Sequence, residues 1–279
     1  MNLPLYQAVV LGIVQGLTEF LPVSSSGHLI LVPYLAGWEI VGSAAQSKAF
    51  AVAVHAGTFV GLLIYFWPQV LKLLRAWFAS IRELRIASEL DRRLAWFIIV
   101  STVPGALAGA LGEGYIEKKL GMPVQVALLL AGFGLVMAAA ERWGSKRRGL
   151  ENLGFLDAVV IGAAQALALM PGVSRSGVVI AAALVLGFGR GDSARYAFLI
   201  SLPIIFGAAA WEGAKLVHGG LSPEMAWSFG AGLLTSAIFG YFAVRFLIAY
   251  LARHTLYPFV FYRLVVGGAC LAIIASGLR

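Results

Sequence analysis

The sequence predicts an all-α polytopic membrane protein built as an inverted-topology repeat, each copy a broken re-entrant helical hairpin plus three transmembrane helices. Three observations carry that expectation. The first is composition: 60% of the 279 residues are hydrophobic and only 12% charged, where a soluble domain carries roughly 25% charge. Most of the 33 glycines sit inside apolar runs, a habit of packed transmembrane helices. The second is spacing, because six apolar runs are long enough to span a bilayer and two more are broken in the middle. The third is self-similarity: the two broken stretches match without a gap at an offset of 150 residues. Residues 1–279 are therefore expected to form a single integral membrane domain, with internal repeats at about 1–141 and 151–279.

In chain order, the first broken stretch is 3–36, interrupted at Leu21-Pro22-Val23-Ser24-Ser25-Ser26-Gly27. Each half is too short to cross alone, and polar, Pro- and Gly-containing backbone at membrane depth is tolerated only where it is buried in protein or lines a cavity. Full spans follow near 49–67, 93–111 and 124–141. Between the first two, the stretch 68–92 sets Trp77, Phe78 and Ile81 against Arg75, Arg82 and Arg85, as expected of a helix lying on the inner leaflet. The second broken stretch, 155–188, is interrupted at Pro171-Gly172-Val173-Ser174-Arg175-Ser176-Gly177, and spans near 195–212, 226–250 and 258–277 complete the chain. Gly12, Gln15, Leu17, Val23, Ser24, Ser26 and Gly27 fall on Gly162, Gln165, Leu167, Val173, Ser174, Ser176 and Gly177.

Three full spans per copy is an odd number, so the second copy is inverted if each hairpin re-enters on its own side. With 68–92 placed inside, thirteen of the 21 Lys and Arg fall in inner loops. Lys48, Lys118, Lys119, Lys215 and Arg279 fall outside, which agrees with the positive-inside rule. Both termini then face outward, and the hairpins enter from opposite faces and meet near the midplane, a transporter-like pattern. The net charge of +8 does not indicate nucleic acid, because the basic residues cluster in short breaks between apolar runs. A lone cysteine, Cys270, excludes an internal disulfide, a CxxC pair and a thiolate zinc site, and with Lys48 as the first basic residue no cleavable signal peptide is expected.

Of thirteen carboxylates, twelve fall in loops or near span ends; Glu19 lies within the first broken stretch. An ionisable group at that depth is costly unless paired or hydrated, which makes it a functional candidate. Gln15 shares its helical face. If a helix re-forms after Pro22, Ser25 and His28 are i, i+3 neighbours, a hydroxyl and an imidazole able to act as nucleophile and base or as proton donor. Ser24, Ser25 and Ser26 also supply a helix cap. Arg175, between Ser174 and Ser176 and before Gly177, needs an anion at membrane depth, and its planar fork suits phosphate or carboxylate. Amides opening a half-helix after Ser174 would point at the same anion. A metal among these residues would be a hard cation on oxygen ligands. His55 and Thr58 read equally well as cavity lining or packed core, His218 and His254 as loop residues, and Arg245 and Arg263 as snorkelling anchors.

The run Gln15-Gly16-Leu17-Thr18-Glu19-Phe20-Leu21-Pro22-Val23-Ser24-Ser25-Ser26-Gly27-His28 resembles the first signature of the undecaprenyl-pyrophosphate phosphatase family of the bacitracin-resistance type. Pro171-Gly172-Val173-Ser174-Arg175-Ser176-Gly177 is similar to its second signature. The resemblance covers essentially the whole chain and implies a bacterial inner-membrane enzyme that hydrolyses undecaprenyl diphosphate with Mg²⁺ or Ca²⁺, its site toward the periplasm, recycling the peptidoglycan carrier lipid. It implies catalytic roles for Glu19, Ser25, His28 and Arg175, with Glu19 also the metal ligand. Gln15, Ser24, Ser26, Ser174, Ser176 and Gly177 would join Arg175 in holding substrate. Two positions depart from the pattern: Gln15 stands where a carboxylate is common, and Val179 where a threonine is. The expected partners are undecaprenyl diphosphate and membrane lipid, with a homodimer as the candidate assembly and no nucleic acid. Ser25, His28 and water all remain open as the nucleophile. The alternative function is a transporter or polyprenyl-phosphate flippase using the same cavity.

Overall fold

The structure is a computed structural model and describes residues 3–38, 44–85, 89–219 and 223–278. Its elements are α1 (Leu5–Phe20), α2 (Ser25–Ala36), α3 (Ala44–Glu83), α4 (Leu90–Leu120), α5 (Pro123–Trp143), α6 (Phe155–Ala164), α7 (Arg175–Val185), α8 (Arg190–Gly219), α9 (Pro223–Leu251) and α10 (Tyr257–Ala275). Among the described residues no strand forms, and six helices are long and apolar enough to cross a membrane. These are α3, α4, α5, α8, α9 and α10, the six runs expected from sequence. The side chains of Lys118, Lys215 and His218, and residue Arg279, lie outside the described part.

The two broken stretches fold as half-helices. α1 has 16 residues and α2 has 12, α6 has 10 followed by a short 3-10 turn at Gln165–Leu169, and α7 has 11. All fall short of the roughly 20 that a crossing needs. The two breaks are built alike. Ser24 and Ser174 both take a left-handed backbone, at φ 75° and 78°, and each caps the helix after it by accepting from a glycine amide, Gly27 at 3.3 Å and Gly177 at 3.2 Å. A non-glycine residue at such φ is strained and persists only where its surroundings over-determine it.

The breaks lie against each other. A Cβ on Gly27 would come within 3.3 Å of Gly172 Cα, and Ser176 Oγ donates across to the Leu21 carbonyl at 3.2 Å. Arg263 of α10 bolts them together. Its Nε donates to Leu130 O of α5 (3.0 Å), Nη1 to Pro22 O (3.2 Å), and Nη2 to Gly172 O (2.7 Å) and Val173 O (3.1 Å). The residue has no exposed surface. The expected snorkelling anchor is thus a buried clamp, because opened backbone leaves carbonyls without partners and a guanidinium can satisfy several at once. Arg245, by contrast, is exposed near the end of α9.

Glycine pairs set the close packing. Gly12 and Gly16 of α1, and Gly57 and Gly61 of α3, all face α9. An added Cβ would meet Gly232 O at 2.6 Å, Ser236 O at 2.8 Å, Leu233 O at 2.2 Å and Ala237 O at 2.4 Å respectively. Small residues four apart let helices approach to backbone contact in lipid. Gly162, the repeat partner of Gly12, plays the same part for α6 against α4, where a Cβ would meet Ser101 O at 2.7 Å.

The stretch 68–83 is not a separate surface helix but the last turns of α3. Pro68 does not stop it, and Gln69 to Ala76 is rich in helix formers. At 40 residues α3 is about 60 Å long, roughly twice the hydrocarbon thickness. Lys72 and Glu83 both reach the first turn of α4, at Asp91 (2.7 Å) and Arg92 (2.8 Å), and Trp96 donates to Ser80 Oγ at 2.9 Å. At the same end of the molecule Arg148 ties the two ends of the second hairpin together, through Asp157 (2.6 Å) and the Leu186 carbonyl (2.9 Å). Beside it Arg190 of α8 grips the buried carboxylate of Glu141 on α5 (2.9 Å).

Candidate active site

The chain reverses at Leu21–Ser24, and that reversal brings the start of α2 back to the end of α1. Ser25, the first residue of α2, donates its hydroxyl proton to Glu19 Oε2 at 2.5 Å. Gln15, one turn before Glu19 on α1, donates from Nε2 to the same oxygen at 3.0 Å. His55 of α3 adds Nε2 at 3.5 Å. Glu19 is 8% exposed, and three polar neighbours meet its carboxylate, all on Oε2. Gln15 Oε1 is buried with no hydrogen-bond partner among the described residues.

The second break supplies the opposite charge. Arg175 is the first residue of α7, as Ser25 is of α2, and its guanidinium acts electrostatically on Glu19. Its Nη1 is buried without a hydrogen-bond partner among the described residues. A buried guanidinium nitrogen with nothing to donate to is suited to grip an anion. The N-terminal amides of α2 and α7 lie at the same two positions and favour negative charge.

His28 does not pair with Ser25; among the described residues no hydrogen bond joins them. Its Nδ1 is 2.7 Å from the Ser24 carbonyl and its Nε2 is 2.8 Å from the hydroxyl of Tyr262 on α10. The i, i+3 spacing is present, but Ser25 sits in the capping turn and reaches back across the break, while His28 turns toward α10. The other serines are structural first. Ser24 and Ser174 are caps, Ser26 lies 3.4 Å from Ser24 Oγ, and Ser176 joins Ser174 at 3.2 Å and the Leu21 carbonyl. Gly177 leaves room for its cap, since a Cβ there would lie 3.3 Å from Ser174 Oγ.

Sequence reasoning left His55 undecided and did not consider Tyr262. His55 Nδ1 bonds its own helix at Ala51 O (2.7 Å) and Thr58 does likewise at His55 O (2.7 Å). Both look like core habits, and only the fold reveals the contact with Glu19. Among the described residues no group of three or more His, Cys, Asp and Glu is gathered. The arrangement is a hydroxyl on a carboxylate, a guanidinium with one buried nitrogen unpartnered and two helix N-termini, all on broken helices inside an apolar bundle. It suits phosphoryl chemistry on an amphiphile.

The chain matches the family described as bacitracin resistance protein BacA over residues 8–269. It is 45% identical over 271 residues to a protein of Geotalea daltonii named undecaprenyl-diphosphatase, covering 97% of each chain. A protein of the same name from Geobacter sulfurreducens is 46% identical over 266 residues, 95% of this chain and 96% of that one. Undecaprenyl-diphosphatase 2 of Stutzerimonas stutzeri is 44% identical over 279 residues, covering 98% and 99%.

Proposed function

The chain belongs to the bacitracin resistance protein BacA family, and on that premise we propose that it is an undecaprenyl-diphosphatase. It hydrolyses undecaprenyl diphosphate to undecaprenyl phosphate and inorganic phosphate, which returns the carrier lipid to peptidoglycan synthesis and underlies bacitracin resistance. The observation that carries the mechanism is the 2.5 Å hydrogen bond from Ser25 to Glu19 beside the unpartnered Nη1 of Arg175.

Arg175 and the amides opening α7 hold the diphosphate, while the apolar bundle takes the lipid tail. Ser25 Oγ attacks the terminal phosphorus as its proton passes to Glu19. A bond from Oγ to phosphorus forms, and the bond from phosphorus to the bridging oxygen breaks, releasing undecaprenyl phosphate. Water then cleaves the seryl phosphate, freeing inorganic phosphate and restoring the hydroxyl. Glu19, rather than His28, is the base in the first step, because the serine proton already points at it; His28 is left to take the proton of the water that cleaves the seryl phosphate.

A divalent cation fits the donor set. The Glu19 carboxylate and the unpartnered Gln15 Oε1 offer hard oxygens from one helical face, and the diphosphate brings more. Bound there, Mg²⁺ or Ca²⁺ would neutralise charge developing on the transferring phosphoryl group. This reading also takes residues 1–141 and 151–279 as two copies of opposite orientation in one bacterial inner-membrane domain, with the Ser25 break opening toward the periplasm. The like-built breaks and the equivalent use of Gly12 and Gly162 support it.

The test is phosphate release from undecaprenyl diphosphate by purified protein in detergent, with Mg²⁺, Ca²⁺ or EDTA. Metal-dependent release that falls at least about 100-fold in Ser25→Ala and Arg175→Ala is expected. Full turnover by Ser25→Ala would remove the serine nucleophile, and no release from folded wild type with either metal would refute the activity.

A further inference from the structure

His28 is 6% exposed and has two polar contacts, of which the one at Nδ1 has a fixed sense. The Ser24 carbonyl can only accept, so Nδ1 must carry a proton. In the neutral ring Nε2 is then the lone acceptor, and the group facing it at 2.8 Å is the Tyr262 hydroxyl, which donates. The two rings lie nearly parallel, 16° apart with centroids at 5.7 Å. Tyr262 is 40% exposed, and its neighbour Arg263 fastens this part of α10 by four hydrogen bonds to α5 and to both breaks.

We propose that Tyr262 is a positioning residue of the phosphatase site: with Nδ1–H set by the Ser24 carbonyl, its hydroxyl donates to Nε2 of His28 and holds that basic nitrogen facing α10. The proposal rests on the phosphatase reading for its kinetic consequence, though not for the bond itself. His28 is held away from Ser25 in this arrangement, and any proton that reaches or leaves its basic nitrogen does so against the Tyr262 hydroxyl. Orientation of an imidazole by a hydrogen bond to its other side is how such rings are kept in one tautomer. A tyrosine in an apolar span gives no hint of this from sequence, where it reads as a lipid-facing aromatic.

The experiment has two arms. In the first, protein labelled with ¹⁵N at its histidine rings is reconstituted in lipid at about pH 8.5, above the ordinary histidine range. The His28 signal is assigned by its loss in His28→Gln. The wild type is expected to show a protonated Nδ1 and a hydrogen-bonded Nε2, and Tyr262→Phe to move Nε2 toward the position of a free ring nitrogen. A wild-type His28 protonated on Nε2, or an Nε2 unmoved in Tyr262→Phe, would overturn the proposal. In the second arm, Tyr262→Phe is expected to lower kcat by about tenfold or more with KM changed less than about twofold. An unchanged kcat would overturn the positioning role even with the bond present. If the wild type releases no phosphate at all, the phosphatase reading fails and the role in it falls with it, while the spectra still decide the bond.

Discussion

Ser25 and Arg175 occupy one position in two half-helices, the first residue after a serine cap, and bring opposite chemistry to it. The hydroxyl of Ser25 needs a base, and Glu19 Oε2 is already at 2.5 Å. Glu19→Gln keeps an oxygen that accepts from Ser25 but cannot take its proton. Its kcat should fall about 100-fold or more while KM stays within a few-fold, as steady-state phosphate release would measure; a matching rise in KM with kcat intact would make Glu19 a binding group instead. Much of this was legible in the chain. A carboxylate, three serines, a histidine and an arginine inside interrupted apolar stretches have few other uses. The partnerships were less so. The spacing of Ser25 and His28 suggested a pair, but the capping turn points the two side chains to different neighbours. Arg263 could as well have reached an interface as a set of broken-backbone carbonyls, and a sequence holds nothing that ranks those two sinks.

At the scale of elements, α9 is wedged between two small-residue ridges, Gly12 and Gly16 of α1 and Gly57 and Gly61 of α3. The contacts are with backbone, which cannot swing aside. Gly57→Ala should therefore cost about 1–3 kcal/mol by overpacking and lower the detergent melting temperature. Gly230→Ala, on α9 with nothing within 4 Å of its added Cβ, should be neutral or slightly stabilising, since alanine is the better helix former. Equal melting temperatures for the two variants would deny that the ridge is tightly packed. The existence of these helices followed from hydropathy, but not all their limits, since α3, α4 and α8 run past the apolar runs that announced them. Which glycines were ridge and which merely tolerated did not, because both kinds sit in equally apolar sequence. The reach of α3 past its apolar run was missed for a related reason: Pro68 reads as a stop, yet a proline inside a long helix forfeits one hydrogen bond and the remainder of the helix carries it.

For the whole molecule, the orientation derived from basic residues makes the ends of α4 and α5 outward and inward markers. Cys270 is the lone cysteine and is buried, so Cys270→Ser gives a clean background. Met122 and Trp143, 61% and 79% exposed, are then suited to single cysteine replacements. An impermeant thiol reagent added outside intact cells should label Met122→Cys and spare Trp143→Cys; the reverse would invert the whole arrangement and place the Ser25 break on the inner side. Charge asymmetry is what this expected orientation rests on. What it could not convey is that the fold fastens these helix ends with ion pairs, Glu141 with Arg190 and Asp157 with Arg148, which sequence counts only as loop charges. The clamp at Arg263 bears on how such a molecule lives in its solvent. Bilayers thin and thicken, and spanning helices answer by tilting. The breaks that carry Ser25 and Arg175 are tied by one guanidinium stitched to Pro22, Gly172 and Val173 and by the Ser176 hydroxyl on Leu21, so their spacing follows the reach of two side chains and not the thickness of the surrounding lipid.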